Sequence, residues 1–263
     1  MKTARLTFRR CSHLVVAAVL CAAAYIAGSA APASAGQSGR LDFGGLARTY
    51  SLHVPAGLER PAGLVVNLHG AGAIGAGWEW ETNYDAVADA HGFIVVYPDG
   101  VDFSWADGRG ASVPDRQGVD DVGFITGLVA KLVSDFGIDP GRVYATGMSA
   151  GAFMVNRLAC ERADVFAAIA PVAGTLGVNV GCAPSRPVAV LATHGTADPV
   201  VPFNGGPMVG RGGASDIVSA PGLAARWRQA GGDVMFKQID GGGHFWPGDA
   251  SEASAQFFAS HSR

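Results

Sequence analysis

Gly147-Met148-Ser149-Ala150-Gly151 decides how the rest of the chain is read. Arg142 to Thr146 precedes it as a strand-like run, and a helical stretch follows, from Ala150 to about Glu161. A serine between the two occupies a sharp strand-to-helix turn that pushes its hydroxyl out of the sheet. The glycines have a steric role. Such a turn drives its central residue toward positive φ, and a side chain two positions to either side would collide with neighbouring elements. With 38 glycines in 263 residues, chance supplies roughly 0.3 such matches, so the surrounding sequence must carry part of the weight. The competing reading of Ser149 is a helix N-cap.

Outward from this turn, short apolar runs alternate with helical patterns. Thr49 to Val54, Leu64 to Leu68, Phe93 to Tyr97, Phe166 to Ala170, Pro187 to Ala192 and Val234 to Ile239 read as strands. Asn83 to His91, the stretch from Asp120 or Asp121 to Phe136, Ala220 to Ala230 and Ser251 to Ser260 read as helices. This alternation predicts an α/β fold: a mostly parallel central sheet with helices on both faces, in a single domain. Gly36 to Gly45 reads as a loose leader, and Gly205 to Gly213 as a surface loop. Trp78, Trp80 and the long irregular segment Val101 to Gly118, which holds Trp105, are expected as loops on the active face.

Two later residues complete a chemical set. Asp198 follows the strand that ends near Thr193, and His244 lies in Gly241-Gly242-Gly243-His244-Phe245-Trp246-Pro247. The chain order Ser, Asp, His is that of an α/β-hydrolase triad. A lone serine hydroxyl is a weak nucleophile and needs an adjacent base. Histidine suits that task because its pKa lies near working pH, and the aspartate would orient the ring. His69 and His194 compete with His244 for the role, although each reads equally as a structural histidine beside a strand. Backbone N–H groups of Ala150 and Ala71 are the expected oxyanion donors. Trp246, His69 and Trp105 are candidates for substrate contact, and Asp121 is read as a helix cap. No nucleotide fingerprint, metal cluster or basic run is present in the sequence, so no cofactor, metal or nucleic-acid partner is expected.

The ends and the cysteines bear on location. Lys2, Arg5, Arg9 and Arg10 precede the apolar run Leu14 to Ala27, and Ala33-Ser34-Ala35 fits a cleavage site. Residues 1–35 therefore read as a signal peptide and 36–263 as the mature, secreted domain, extracellular or periplasmic and without stable membrane insertion. The leader holds four of the 19 basic residues and none of the 22 acidic ones, so the remainder has a formal charge of −7. Cys160 and Cys182 remain after cleavage. In an exported chain they form one disulfide or stand as two separate buried thiols.

Taken in order, several segments resemble the secreted esterases known as polyhydroxybutyrate depolymerases and feruloyl or acetylxylan esterases. They are Leu68-His69-Gly70, Tyr97-Pro98-Asp99-Gly100, Val119 to Phe124, Ile138 to Tyr144, Thr146 to Gly151, Arg157 to Cys160, Ala170 to Gly174, His194 to Pro202 and Gly241 to Gly248. The resemblance implies an α/β-hydrolase fold, the triad Ser149, Asp198 and His244, and a Cys160–Cys182 disulfide. It further implies a carboxylic ester hydrolase acting on hydroxyalkanoate polyesters or oligomers. The alternatives are a feruloyl or acetylxylan esterase and a non-catalytic binding protein on the same scaffold. Two departures stand out. Trp227 to Asp233 runs almost directly into Val234 where relatives carry a longer segment, and Ala150 stands where relatives tend to have Asn.

Overall fold

A computed structural model describes residues 36–263 apart from Glu59; the signal-peptide expectation for residues 1–35 lies outside them. An eight-stranded sheet is built from β1 (Gln37–Phe43), β2 (Leu46–His53), β3 (Gly63–Leu68), β4 (Phe93–Pro98), β5 (Val143–Met148), β6 (Ala168–Val172), β7 (Ala189–Gly195) and β10 (Val234–Ile239). Its spatial order is β1-β2-β4-β3-β5-β6-β7-β10. β2 pairs antiparallel with β1 and β4, and the remaining pairs are parallel. The expected α/β-hydrolase architecture is present. β1 corrects the reading of Gly36 to Gly45 as a loose leader. Phe43 pairs with Leu46 around Gly44 and Gly45, both at positive φ, which is the geometry of a two-residue hairpin turn.

Strand residues divide between the two faces, as alternating Cβ directions require. Leu64, Val66 and Leu68 join one apolar layer, with Phe124, Ile125 and Leu128 of α4 (Asp121–Phe136), Met154 and Leu158 of α5 (Ala150–Glu161) and Trp227 of α6 (Ala220–Gln229). Val65, Val95 and Tyr144 join the opposite layer, with Trp78 of α1 (Gly75–Thr82), Tyr84 of α2 (Tyr84–His91) and Phe258 of α7 (Ala250–Ala259). The central strands are buried on both faces, so they read as near-continuous apolar runs. Full burial of one such Leu or Phe contributes about 1.5–3 kcal/mol.

Three further expectations change. Trp78 and Trp80 lie on helix α1, not in loops; Gly75 is required there because a Cβ would sit 2.1 Å from the carbonyl oxygen of Tyr97. Asp120, not Asp121, caps α4, accepting from Gly123 N–H at 2.7 Å. Asp121 is fully buried instead and pairs with Arg48 at 2.7 Å while accepting the Ala106 N–H. It thereby ties β2 and α4 to the segment that frames the site. The Gly205 to Gly213 stretch largely forms a hairpin of β8 (Gly206–Gly210) and β9 (Gly213–Ile217), which a short helix α3 (Val113–Gln117) adjoins. Arg116 of α3 donates to the Gly212 carbonyl at the hairpin tip. Cys160 and Cys182 are joined in a disulfide that links the end of α5 to the segment before β7.

Candidate active site

Ser149 lies between β5 and α5 with φ 55° and ψ −119°. A non-glycine residue there costs about 1–3 kcal/mol, and such strain persists only where neighbours enforce it. They do so here. A Cβ on Gly147 would lie 2.6 Å from the Leu68 carbonyl oxygen, and one on Gly151 only 2.1 Å from it. The helix start therefore presses on the end of β3, and both glycines are sterically required. Ser149 N–H donates to Val172 O at 3.0 Å, and its side chain makes no capping hydrogen bond to α5. The N-cap reading fails on that point.

Asp198 and His244 come from the ends of β7 and β10. His244 Nδ1 lies 2.8 Å from Asp198 Oδ2, and Asp198 Oδ1 accepts from Val200 and Val201 N–H at 2.8 Å each. The two loops are laced together. Ala197 N–H donates to Gly242 O at 2.9 Å, and Gly241 N–H to Thr196 Oγ1 at 2.8 Å. Gly195 lets them approach, since a Cβ there would lie 2.2 Å from the Gly242 oxygen. His194 competes poorly as a base. It is buried, its Nε2 is 2.9 Å from the Val201 carbonyl and 3.7 Å from Asp198, and burial pushes its pKa down.

Ser149, His244, Ala71 and Ala150 all line one cavity of about 300 Å³. Among the described residues, neither the Ala71 nor the Ala150 N–H has an acceptor. The cavity walls include Phe153, Val200 and the β8–β9 hairpin through Met208, Val209 and Arg211. Sequence reading missed this wall. Its signal was Arg211-Gly212, a two-residue turn with a glycine, flanked by short strand-like pieces.

Trp246, His69 and Trp105 are not among the residues that line that cavity; the full burial of His69 and Trp105 corrects their reading as substrate contacts. Trp105 is fully buried and donates to the His69 carbonyl at 2.9 Å. His69 is also fully buried; its Nε2 accepts Gly100 N–H at 3.0 Å, so Nδ1 carries the proton and donates to Gly70 O at 2.8 Å. Burial lowers its pKa, in keeping with a neutral ring that shapes the Gly70 to Gly72 turn. Trp246 packs edge-on against Trp78 at 5.4 Å.

Comparison with known proteins fits this arrangement. The sequence profile of the family "Esterase PHB depolymerase" matches residues 48–231. Poly(3-hydroxyalkanoate) depolymerase C of Paucimonas lemoignei is 37% identical over 135 residues, covering 46% of this chain and 30% of the depolymerase. Feruloyl esterase C of Emericella nidulans is 34% identical over 167 residues, 60% of this chain and 58% of that enzyme. The chain thus spans less than two thirds of the length of either relative. The acetyl xylan esterase from Aspergillus awamori superposes with a TM-score of 0.63 at 18% identity, over 85% of this chain and 99% of that one, a likeness of fold. The chain belongs to the Esterase PHB depolymerase family and is a carboxylic ester hydrolase of that type.

Proposed function

We propose that Ser149, His244 and Asp198 form the catalytic triad and cleave esters through an acyl-enzyme. The observation that carries the reading is the opening of Ser149, His244 and two unpartnered backbone donors onto one cavity. Ser149 Oγ attacks the ester carbonyl carbon while His244 Nε2 takes the hydroxyl proton. Asp198 holds Nδ1–H and stabilises the imidazolium that forms. The tetrahedral oxyanion takes hydrogen bonds from Ala71 and Ala150 N–H. As the intermediate collapses, the alkoxy bond breaks and His244 returns its proton to the leaving alcohol. Water then attacks the acyl-enzyme with the same base, releases the acid and regenerates Ser149.

The substrates are hydroxyalkanoate polyesters or oligomers. A cavity this small, walled by a hairpin, favours short chains over a flat polymer face. Feruloyl or acetyl esters of plant polysaccharide are the alternative, carried by the feruloyl esterase relative. The apolar leader and the disulfide support export into an oxidising compartment, with cleavage after Ala35. The test is hydrolysis of p-nitrophenyl butyrate by wild type and Ser149→Ala, followed by a panel of hydroxybutyrate oligomers, methyl ferulate and acetylated xylan. Equal rates in wild type and variant refute the triad. The largest kcat/KM in the panel assigns the substrate, and a preference for ferulate or acetylxylan overturns the hydroxyalkanoate assignment.

A further inference from the structure

Among the described residues, two guanidinium groups and no carboxylate line the cavity. Arg109 is buried on one wall, its Cζ 3.6 Å from the Phe153 ring centroid. Asp107 neutralises it through Nε and Nη2, at 2.9 and 2.7 Å. Its remaining nitrogen, Nη1, has only the Met208 thioether as acceptor, at 3.3 Å. A thioether is a weak acceptor, so a buried charged donor faces the cavity poorly satisfied.

Arg211 supplies the net charge. It is exposed at the tip of the β8–β9 hairpin, its Cζ 5.6 Å from the Phe103 ring centroid. No ion pair among the described residues includes it. Its Nη1 lies 3.4 Å from the position a Cβ on Gly72 would take, beside the Ala71 turn that offers an oxyanion donor. The tip is held in place. A Cβ on Gly212 would lie 2.3 Å from the Ala111 carbonyl oxygen, Arg116 bonds the Gly212 carbonyl, and the base of the hairpin bonds the Leu176 to Val178 segment. A cation carried on that tip beside a cavity with no acidic lining, in a domain otherwise carrying excess negative charge, selects for a complementary anion.

We infer that the cavity takes esters bearing a free carboxylate, which Arg211 binds together with the Arg109 nitrogen now held by a thioether alone. The class includes hydroxy-acid oligomers with a free acid end and half-esters of dicarboxylic acids. This deepens the esterase reading of Ser149 and rests on it. Arg211 acts as a specificity-determining residue. A guanidinium–carboxylate contact is lost with the neutral analogue, and charge-assisted bonds of this kind discriminate by about tenfold.

The test uses two substrate pairs matched in size: p-nitrophenyl hydrogen adipate against p-nitrophenyl hexanoate, and β-acetoxybutyrate against its methyl ester. The first pair places the carboxylate on the acyl side and the second on the alcohol side. Release of p-nitrophenolate and of acetate gives kcat/KM for wild type, Arg211→Gln, Arg211→Lys and Ser149→Ala. In at least one pair, wild type prefers the acid, Arg211→Gln lowers the acid-to-neutral ratio about tenfold or more, and Arg211→Lys keeps part of it. The wild-type ratio also falls with added salt. Ratios that are the same in wild type and Arg211→Gln for both pairs overturn the inference while leaving the esterase reading intact. A wild type that hydrolyses none of the four compounds, or does so no faster than Ser149→Ala, overturns both.

Discussion

Asp198 divides its carboxylate between a histidine ring and the backbone: Oδ2 lies 2.8 Å from His244 Nδ1, while Oδ1 accepts the N–H groups of Val200 and Val201. Asp198→Asn separates the two tasks. The amide oxygen keeps the backbone bonds, but the amide nitrogen is a donor and faces Nδ1. The ring must then place its proton on Nε2, where it cannot accept from Ser149. Turnover should fall by about 10⁴-fold with little change in melting temperature. Steady-state kinetics and a circular-dichroism melt on the same preparation check this, and near-normal turnover would remove Asp198 from the chemistry.

The two loops that carry Asp198 and His244 touch through glycine backbones, which makes Gly195 a sensitive position. A Cβ at Gly195 meets the Gly242 carbonyl at 2.2 Å, two residues from the base. Gly195→Ala must therefore move the histidine loop. Misplacing a reacting group by about 1 Å can cost about 100-fold, whereas overpacking costs about 1–3 kcal/mol. We expect kcat for p-nitrophenyl butyrate to drop about 100-fold in protein that still melts cooperatively. A drop in melting temperature with kcat preserved would show that the loop absorbs the methyl group.

Much of this was legible in the sequence, for identifiable reasons. β3 and β5 announce themselves because burial on both faces leaves them mostly apolar, with one buried polar residue each, Asn67 and Thr146, and the turn at Ser149 because two glycines carry a contact that no other residue fits. β1 was hidden because its exposed, polar residues dilute the apolar alternation, although Gly44-Gly45 signalled a hairpin. The cavity walls were less visible still. Arg109 comes from a long loop and Arg211 from a distant hairpin turn, and the contact of Arg109 with Met208 crosses 99 positions. Conversely, Trp105 looked functional because it lies near the motifs, whereas its full burial and its bond to the His69 carbonyl were decided by a distant partner.

The Cys160–Cys182 bridge closes a loop of sequence separation 22. Loop-closure entropy for such a length gives about 3 kcal/mol, spent on the unfolded chain rather than the folded one. The Cys160→Ala, Cys182→Ala double variant should therefore lose several degrees of melting temperature. Its kcat at room temperature should stay near wild type, since neither cysteine lines the cavity. Differential scanning calorimetry with and without reductant tests this. Reductant should lower the wild-type transition toward that of the variant and leave the variant itself unmoved.

Two buried histidines give stability a direction with pH. Burial pushes the pKa of both His69 and His194 below the ordinary histidine value. The unfolded chain then binds more protons than the folded one wherever the folded rings stay neutral. Stability from these groups is complete above the unfolded value of about 6.5 and is lost as pH falls below it toward the folded value. Each ring contributes at most about 1.4 kcal/mol per pH unit in that window. The urea midpoint of wild type should accordingly be lower at pH 5.5 than at 7.5. His69→Gln removes one of the two groups, so the gap between its two midpoints should narrow even though the variant is less stable at both. An undiminished gap would move the acid sensitivity away from His69 and to other titrating groups.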